Sequence, residues 1–204
     1  HSSIKGKLID RIKEYIIRFY GTDVIKNPEY PKIINDKHFN RLVDLLKNED
    51  IAFGGDYNLD TMQIAPVLIN NVGWDSPLME DEIFGPILPI LEFDELDRVI
   101  TEINKRPKPL ALYLFSNSKA NQQQILNSLS FGGGCINDTL VHLATPYMGF
   151  GGVGESGMGR YHGRESFNTF SHMKSILKKS NLVDIKLRYP PYKNKLKTIK
   201  RIMK

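Results

Sequence analysis

Between positions 86 and 138 the sequence switches repeatedly between two patterns. "PILPILEF" (86–93) is an apolar run of strand length. "DELDRVITEIN" (94–104) carries Leu96, Val99, Ile100 and Ile103 at helical spacing, with Asp94 in the cap position. "PLALYLFS" (109–116) is a second apolar strand, "SKANQQQILNSL" (118–129) a second helix opening near Ser118, and "GGCIND" (133–138) a third strand. Short apolar runs bounded by Gly and Pro read as buried strands, and a stripe at a 3.6-residue period reads as a helix packed on one side. A strand that returns to its sheet through a helix does so parallel and right-handed. The expectation is an α/β fold with a mostly parallel sheet and flanking helices.

Upstream, Leu8, Ile12, Tyr15, Ile16 and Phe19 recur at helical spacing, with Ser2 or Ser3 as the cap and Gly21 as the stop. Asn35 or Asp36 opens a second helix that turns Phe39, Leu42, Val43, Leu45 and Leu46 inward. "IAFGG" (51–55) reads as a short strand. "QIAPVLIN" (63–70) reads as extended, and Pro66, which has no N–H to donate, argues for a sheet edge. Downstream, "HMKSILKKS" (172–180) reads as one more strand. Beyond Pro190 and Pro191, Leu196, Ile199 and Met203 fall at i, i+3 and i+7 among lysines, the pattern of a short basic amphipathic helix.

"FGGVGESGMGRYHGRESFNTFSH" (150–172) contains Gly152, Gly154 and Gly157 in the order G-x-G-x-x-G. A dinucleotide fingerprint needs a buried strand before it, a helix opening inside it, and an acid about 20 residues on. Here "ATPYMGF" precedes it, two more glycines stand where the helix should run, and the acid is missing. The alternative is a bare backbone that passes close to a ligand or a neighbouring domain. Phe150 at its entry and His162 between Gly159 and Gly163 each have a plain reading, as core and as a structural histidine. In "MEDEIFGPILPI" (79–90), Gly85 and Pro86 form a rigid turn that holds Glu82 and Phe84 at the entry of a strand. A carboxylate there can accept hydrogen bonds from two sugar hydroxyls, and an aromatic ring can pack against a flat heteroaromatic one. The plain reading is a solvated acid beside a core phenylalanine.

Taken together, these segments carry a resemblance. "MEDEIFGPILP" is similar to the E-E-I-F-G-P motif of aldehyde dehydrogenases. The glycine-rich segment resembles a stretch of the class 3 branch, which includes fatty aldehyde dehydrogenases. "INDTLVH", "KPLALYLFS" and "KLRYPP" fit the same branch, in the right order along nearly the whole chain. The resemblance implies that Glu82 binds the nicotinamide ribose of NAD or NADP and that Phe84 packs by the nicotinamide ring. It implies that Phe150 lines the substrate tunnel, with Leu140, Leu143, Ala144 and His162 lining or bordering it. Gly149 departs from the family's proline before the Phe150 position. Residues 1–171 would form the C-terminal part of a catalytic domain, 172–180 a strand that extends a partner subunit's sheet, and 181–204 a basic tail with a possible gating helix.

Enzymes of this family attack the aldehyde with a cysteine thiolate, pass a hydride to the nicotinamide, and hydrolyse the thioester with water activated by a glutamate. Cys135, the single cysteine, follows three glycines and does not stand in the family's G-Q-x-C-type context. It reads as a small buried hydrophobe on its strand. The resemblance implies that the nucleophile, the general base and most of the cofactor domain lie upstream of residue 1, so this chain alone is expected to be inactive. The absent initiator methionine also suggests a processed or truncated chain. The expected partners are an aldehyde and either a second copy or the N-terminal portion of the same enzyme, with no metal. The rival reading is a non-catalytic dimerisation fragment.

The net charge of +5 divides unevenly. Residues 174–204 hold 11 Lys and Arg against Asp184 alone, so the body before them is acidic overall. Such a tail either stays solvated or meets phosphates or anionic lipid. With no aromatics among its basic residues except Tyr189 and Tyr192, base stacking is not expected, and nucleic acid is not an expected partner. One cysteine and no signal-peptide order make a cytoplasmic location the expectation.

Overall fold

The structure is a computed structural model that describes residues 1–202; Met203, the last residue of the expected tail stripe, lies outside the described residues. Helix α1 (Ser2–Tyr20) is capped by His1, whose Nδ1 accepts from the Ser3 N–H at 3.2 Å. Neither serine is the cap. Ser2 is already helical, its N–H donates to the Phe93 carbonyl at 2.8 Å, and its hydroxyl donates to the Asp94 carboxylate. Lys5 adds an ion pair to Glu92 at 2.8 Å. The buried face of α1 is also offset from the expected stripe. Ile9 and Ile16 are buried and Ile12 and Tyr20 pack beside them, while Leu8, Tyr15 and Phe19 are exposed. The helix is apolar on two sides, so periodicity alone does not select which side meets the core.

Helix α2 (Asp36–Leu45) opens as expected: Asn35 Oδ1 accepts from the His38 N–H at 2.9 Å. Its Phe39 and Leu42 are fully buried in the main core with Ile64, Val67, Ile69, Leu78 and Ile87. Strand β1 (Asp50–Phe53) is followed by a hairpin that the sequence pattern does not announce, β2 (Tyr57–Asn58) with β3 (Gln63–Ile64). Strand β4 (Val67–Asn70) pairs antiparallel with β1 and parallel with β5 (Ile87–Pro89). β4 is thus the central strand of its sheet, not an edge. Pro66 is tolerated because the ladder begins one residue later, where the Val67 N–H donates to the Pro86 carbonyl at 2.8 Å. β5 covers only part of the expected 86–93 strand, and its Leu88 is exposed.

Helix α3 (Leu96–Asn104) starts from Glu95, whose side chain makes no capping bond; the expected cap, Asp94, is engaged by Ser2 instead. Strands β6 (Ala111–Leu114) and β7 (Gly133–Ile136) pair in parallel, joined through α4 (Lys119–Ser128). α4 opens near Ser118 as expected, and Ser118 caps it, accepting from the Asn121 N–H at 3.3 Å. Ile100, Ile125 and Leu129 make a separate core under this pair.

The α/β architecture is therefore present, with parallel pairing at β4–β5 and β6–β7, divided over small sheets. Two short helices, α5 (Val141–Ala144) and α6 (Gly163–Thr169), follow β7. Residues 172–180 form no strand within the chain and are exposed throughout. In the tail, α7 (Leu196–Ile202) is helical, with Leu196 and Ile202 exposed. Among the described residues no helix is long and apolar enough to cross a membrane.

Candidate functional site

The end of β7 leads through Asn137 into α5, and two residues on this path adopt left-handed backbone: Asn137 at φ 58° and Leu140 at φ 63°. Leu140 is the N-cap of α5 and is exposed. A branched apolar residue at positive φ is costly, and such strain is retained where the surrounding structure over-determines it. His162, the N-cap of α6, is a second such cap at φ 87°. Its N–H donates to Ser166 Oγ at 2.8 Å, which holds the turn.

Between these caps runs the glycine-rich loop. The Phe150 N–H donates to the Tyr161 carbonyl at 2.9 Å and the Tyr161 N–H returns the bond at 3.0 Å, closing residues 151–160 into a loop. A Cβ on Gly151 would stand 2.1 Å from the Gly159 carbonyl oxygen. On Gly163, itself at φ 48°, a Cβ would stand 1.9 Å from the Pro146 oxygen. The glycines are required by backbone folding on backbone. Within the G-x-G-x-x-G only a short 3-10 turn forms, Gly154–Ser156.

This geometry brings most of the expected tunnel residues together. Leu143, Ala144 and His162 line one cleft of about 300 Å3 with Thr145, Pro146 and Gly163. The ring of Phe150 stacks on His162, centroids 6.0 Å apart at 24°. Leu140 stands at the entry of the helix that carries Leu143 and Ala144.

Glu82 and Phe84 are the remaining residues of the expected site. No hydrogen bond, ion pair or ring contact among the described residues joins either to this cluster. Their turn is anchored from behind: a Cβ on Gly85 would stand 2.5 Å from Leu42 Cδ2, so the backbone lies directly on the main core. Arg41 Nη2 donates to the Ile83 carbonyl at 2.5 Å. Phe84 sits at φ 48° with its side chain 74% exposed, an aromatic held outward by strained backbone. The Glu82 carboxylate is exposed and takes part in no hydrogen bond or ion pair among the described residues.

One buried residue beside the site escaped the sequence reading. His142, on α5, is 5% exposed and lies against Tyr113 and Phe150, at 5.8 and 5.9 Å between centroids. Its Nδ1 is 3.5 Å from Cys135 Sγ, and its Nε2 is buried with no partner. The available signal was a histidine between the apolar Leu140, Val141 and Leu143. Among the described residues no cluster of His, Cys, Asp and Glu could hold a metal ion. A separate cleft of about 520 Å3, lined by Trp74, Glu92, Arg98 and Glu102 among others, shares no residue with these motifs.

An α/β scaffold that presents an acid–aromatic turn and a glycine-hinged aromatic wall defines a class of protein, and the comparisons agree. Residues 1–176 match the model of the aldehyde dehydrogenase family, and the chain belongs to that family. It is 50% identical over its whole length to a 4,4'-diaponeurosporen-aldehyde dehydrogenase of Staphylococcus aureus, covering 45% of that protein. It is 44% identical over 93% of its length to the dimeric NADP-preferring aldehyde dehydrogenase of Rattus norvegicus, covering 42% of it. Further relatives are named as family 3 members, in keeping with the class 3 branch. A solved structure of Staphylococcus aureus AldH in a substrate-bound state superposes with a TM-score of 0.90 at 50% identity, over all of this chain and 45% of that one. The chain spans less than half the length of these relatives.

Proposed function

We propose that this chain is the C-terminal part of an NAD- or NADP-dependent aldehyde dehydrogenase that oxidises aldehydes to carboxylic acids. It supplies the apolar wall of the aldehyde site and one contact region for the nicotinamide end of the cofactor. The observation that carries the reading is the shared cleft of Leu143, Ala144 and His162 with Phe150 stacked against it. Such a wall holds the alkyl part of an aldehyde, excludes water from it, and leaves the polar carbonyl to groups elsewhere. Glu82 accepts hydrogen bonds from the ribose hydroxyls and Phe84 packs against the nicotinamide. The cofactor, when bound, supplies a hydride acceptor.

Cys135 is not the nucleophile in this reading. Its thiol is turned into the aromatic cluster beside His142 and lies on the half-buried β7. The attacking thiolate, which forms the thiohemiacetal, and the glutamate base belong to polypeptide outside these residues, as does most of the cofactor site. The 204-residue chain alone then oxidises no aldehyde. In an intact enzyme carrying this chain, Glu82→Gln is expected to weaken cofactor binding about 10-fold, the cost of one charge-assisted hydrogen-bonding group. Fluorescence titration with NAD and NADP measures it; unchanged affinity for both removes Glu82 from the cofactor site.

A second reading, a dimerisation fragment, is favoured by residues 172–180. Met173, Ile176 and Leu177 are exposed on a segment that pairs with nothing in its own chain. That suits a strand added to the sheet of a second copy. Light scattering of the chain alone and of an Ile176→Asp/Leu177→Asp variant tests it, with loss of a dimer expected.

A further inference from the structure

His142 is the one buried histidine among the described residues, and nothing in the reaction outlined above uses it. Its position is expensive. Whichever ring nitrogen carries the proton, Nε2 stays buried without a hydrogen-bond partner, while Nδ1 has only the weak partner Cys135 Sγ at 3.5 Å. Leaving a buried polar group unsatisfied is destabilising. An apolar ring would avoid that cost, so the ring is held there by its surroundings.

Those surroundings lead to the cleft. Tyr113 of β6 meets the imidazole edge-on, at 67° between planes. Phe150 lies on another side at 59°, and the Phe150 ring in turn stacks on His162. Beneath, Gly133 of β7 leaves the space: a Cβ there would stand 3.1 Å from His142 Cδ2. The imidazole is therefore a plate wedged between the β6–β7 pair and the aromatic wall. It also lies on α5, next to Leu143 and two residues from Ala144.

We propose that His142 is a positioning residue that sets the depth and shape of the aldehyde tunnel through the ring of Phe150 and the placement of α5. It does so without touching substrate. The proposal rests on the reading of Phe150 and its neighbours as the tunnel wall. Its consequence is selective. Loss of the plate lets Phe150 settle toward β6, which disturbs the far part of the tunnel used by a long alkyl chain and spares a two-carbon aldehyde.

The test uses the intact enzyme carrying this chain, with acetaldehyde and a ten-carbon straight-chain aldehyde, and rates corrected for titrated active sites. His142→Ala is expected to raise KM for the long aldehyde about 10-fold relative to acetaldehyde, in line with small displacements of a binding wall. The kcat with acetaldehyde stays within about 3-fold of the parent. His142→Phe keeps a ring in the slot and is expected to restore the KM ratio. A parallel loss for both aldehydes, no change for either, or no rescue by His142→Phe overturns the proposal. Phe150→Ala separates the two layers of argument. If it too leaves the KM ratio unchanged, the tunnel reading fails and this proposal falls with it. If it shifts the ratio and His142→Ala does not, only the present proposal fails.

Discussion

The core around Leu42 and the glycine-rich segment after His142 are built on opposite principles. In the first, Phe39, Leu42, Ile64 and Ile69 are almost wholly excluded from solvent, and α2, β3, β4 and β5 all contribute to one contiguous cluster. In the second, no residue from 143 to 202 is fully buried. Order there comes from backbone: the Phe150–Tyr161 bridge, the close approach of Gly151 to Gly159, and the left-handed caps at Leu140 and His162. The glycine-rich motif thus lies where the chain buries little of itself. A region organised by hydrophobic burial stands on its own, whereas a region organised by glycine geometry presents its side chains to something else.

That contrast can be broken or sharpened by substitution. The largest expected loss of stability is at Leu42→Ala, about 2–5 kcal/mol by denaturant unfolding, since a fully buried leucine leaves a cavity that rigid neighbours fill only partly. A loss below about 1 kcal/mol would show that the core is looser than its burial suggests. Next is Gly151→Ala, at about 1–3 kcal/mol from overpacking, because its new methyl meets backbone at Gly159 rather than a side chain that can swing away. In the intact enzyme, KM for a long aldehyde should move more than stability does. Equal effects on both would erase the distinction between the two regions.

A smaller effect tests the upstream part by pH. Tyr30 is buried beside Tyr20, and burial, with a lesser contribution from Tyr20, pushes its hydroxyl up to about 12. The folded state therefore holds this proton where the unfolded chain, near 10, has released it. Stability from this group is fully present below about pH 10 and is lost as pH rises toward 12. Tyr30→Phe should flatten that alkaline decline in unfolding titrations. Near neutral pH it should cost about 1 kcal/mol, through loss of the 2.9 Å bond its hydroxyl donates to the Ile64 carbonyl. The smallest effect is expected from Glu92→Gln, which removes the partner of Lys5 at the rim. A surface ion pair is worth about 0–1 kcal/mol, and the change in melting temperature should shrink further in high salt.

Much of the scaffold was readable from local chemistry. The helices opening at Asn35 and near Ser118 stand where they were expected, because a short polar side chain bonding a nearby N–H needs no distant partner. The parallel pairing of β6 with β7 follows from strand–helix–strand order. Where readings failed, a distant partner had intervened. Asp94 is taken by Ser2, far away in sequence, so Glu95 starts α3 without a cap bond. Pro66 leads into a central strand because the ladder begins beyond it. Which face of α1 turns inward depended on Val24, Tyr30 and Ala65. In the candidate site, only the resemblance of the motifs singled out Phe150 and His162; taken alone they read as core and as a structural histidine. His142 carried no local mark beyond its apolar neighbours.

What the amino-acid order settles by itself is the class of fold, the family, and the places where backbone must lie bare. The first and last depend on steric limits and periodicities that act over a few residues, and the family on its motifs. What only the folded chain decides is which side chains share a cleft, which histidine is buried, and which strand is central. Those outcomes arise from close packing between segments far apart in sequence, where a neighbour's shape excludes all but one arrangement.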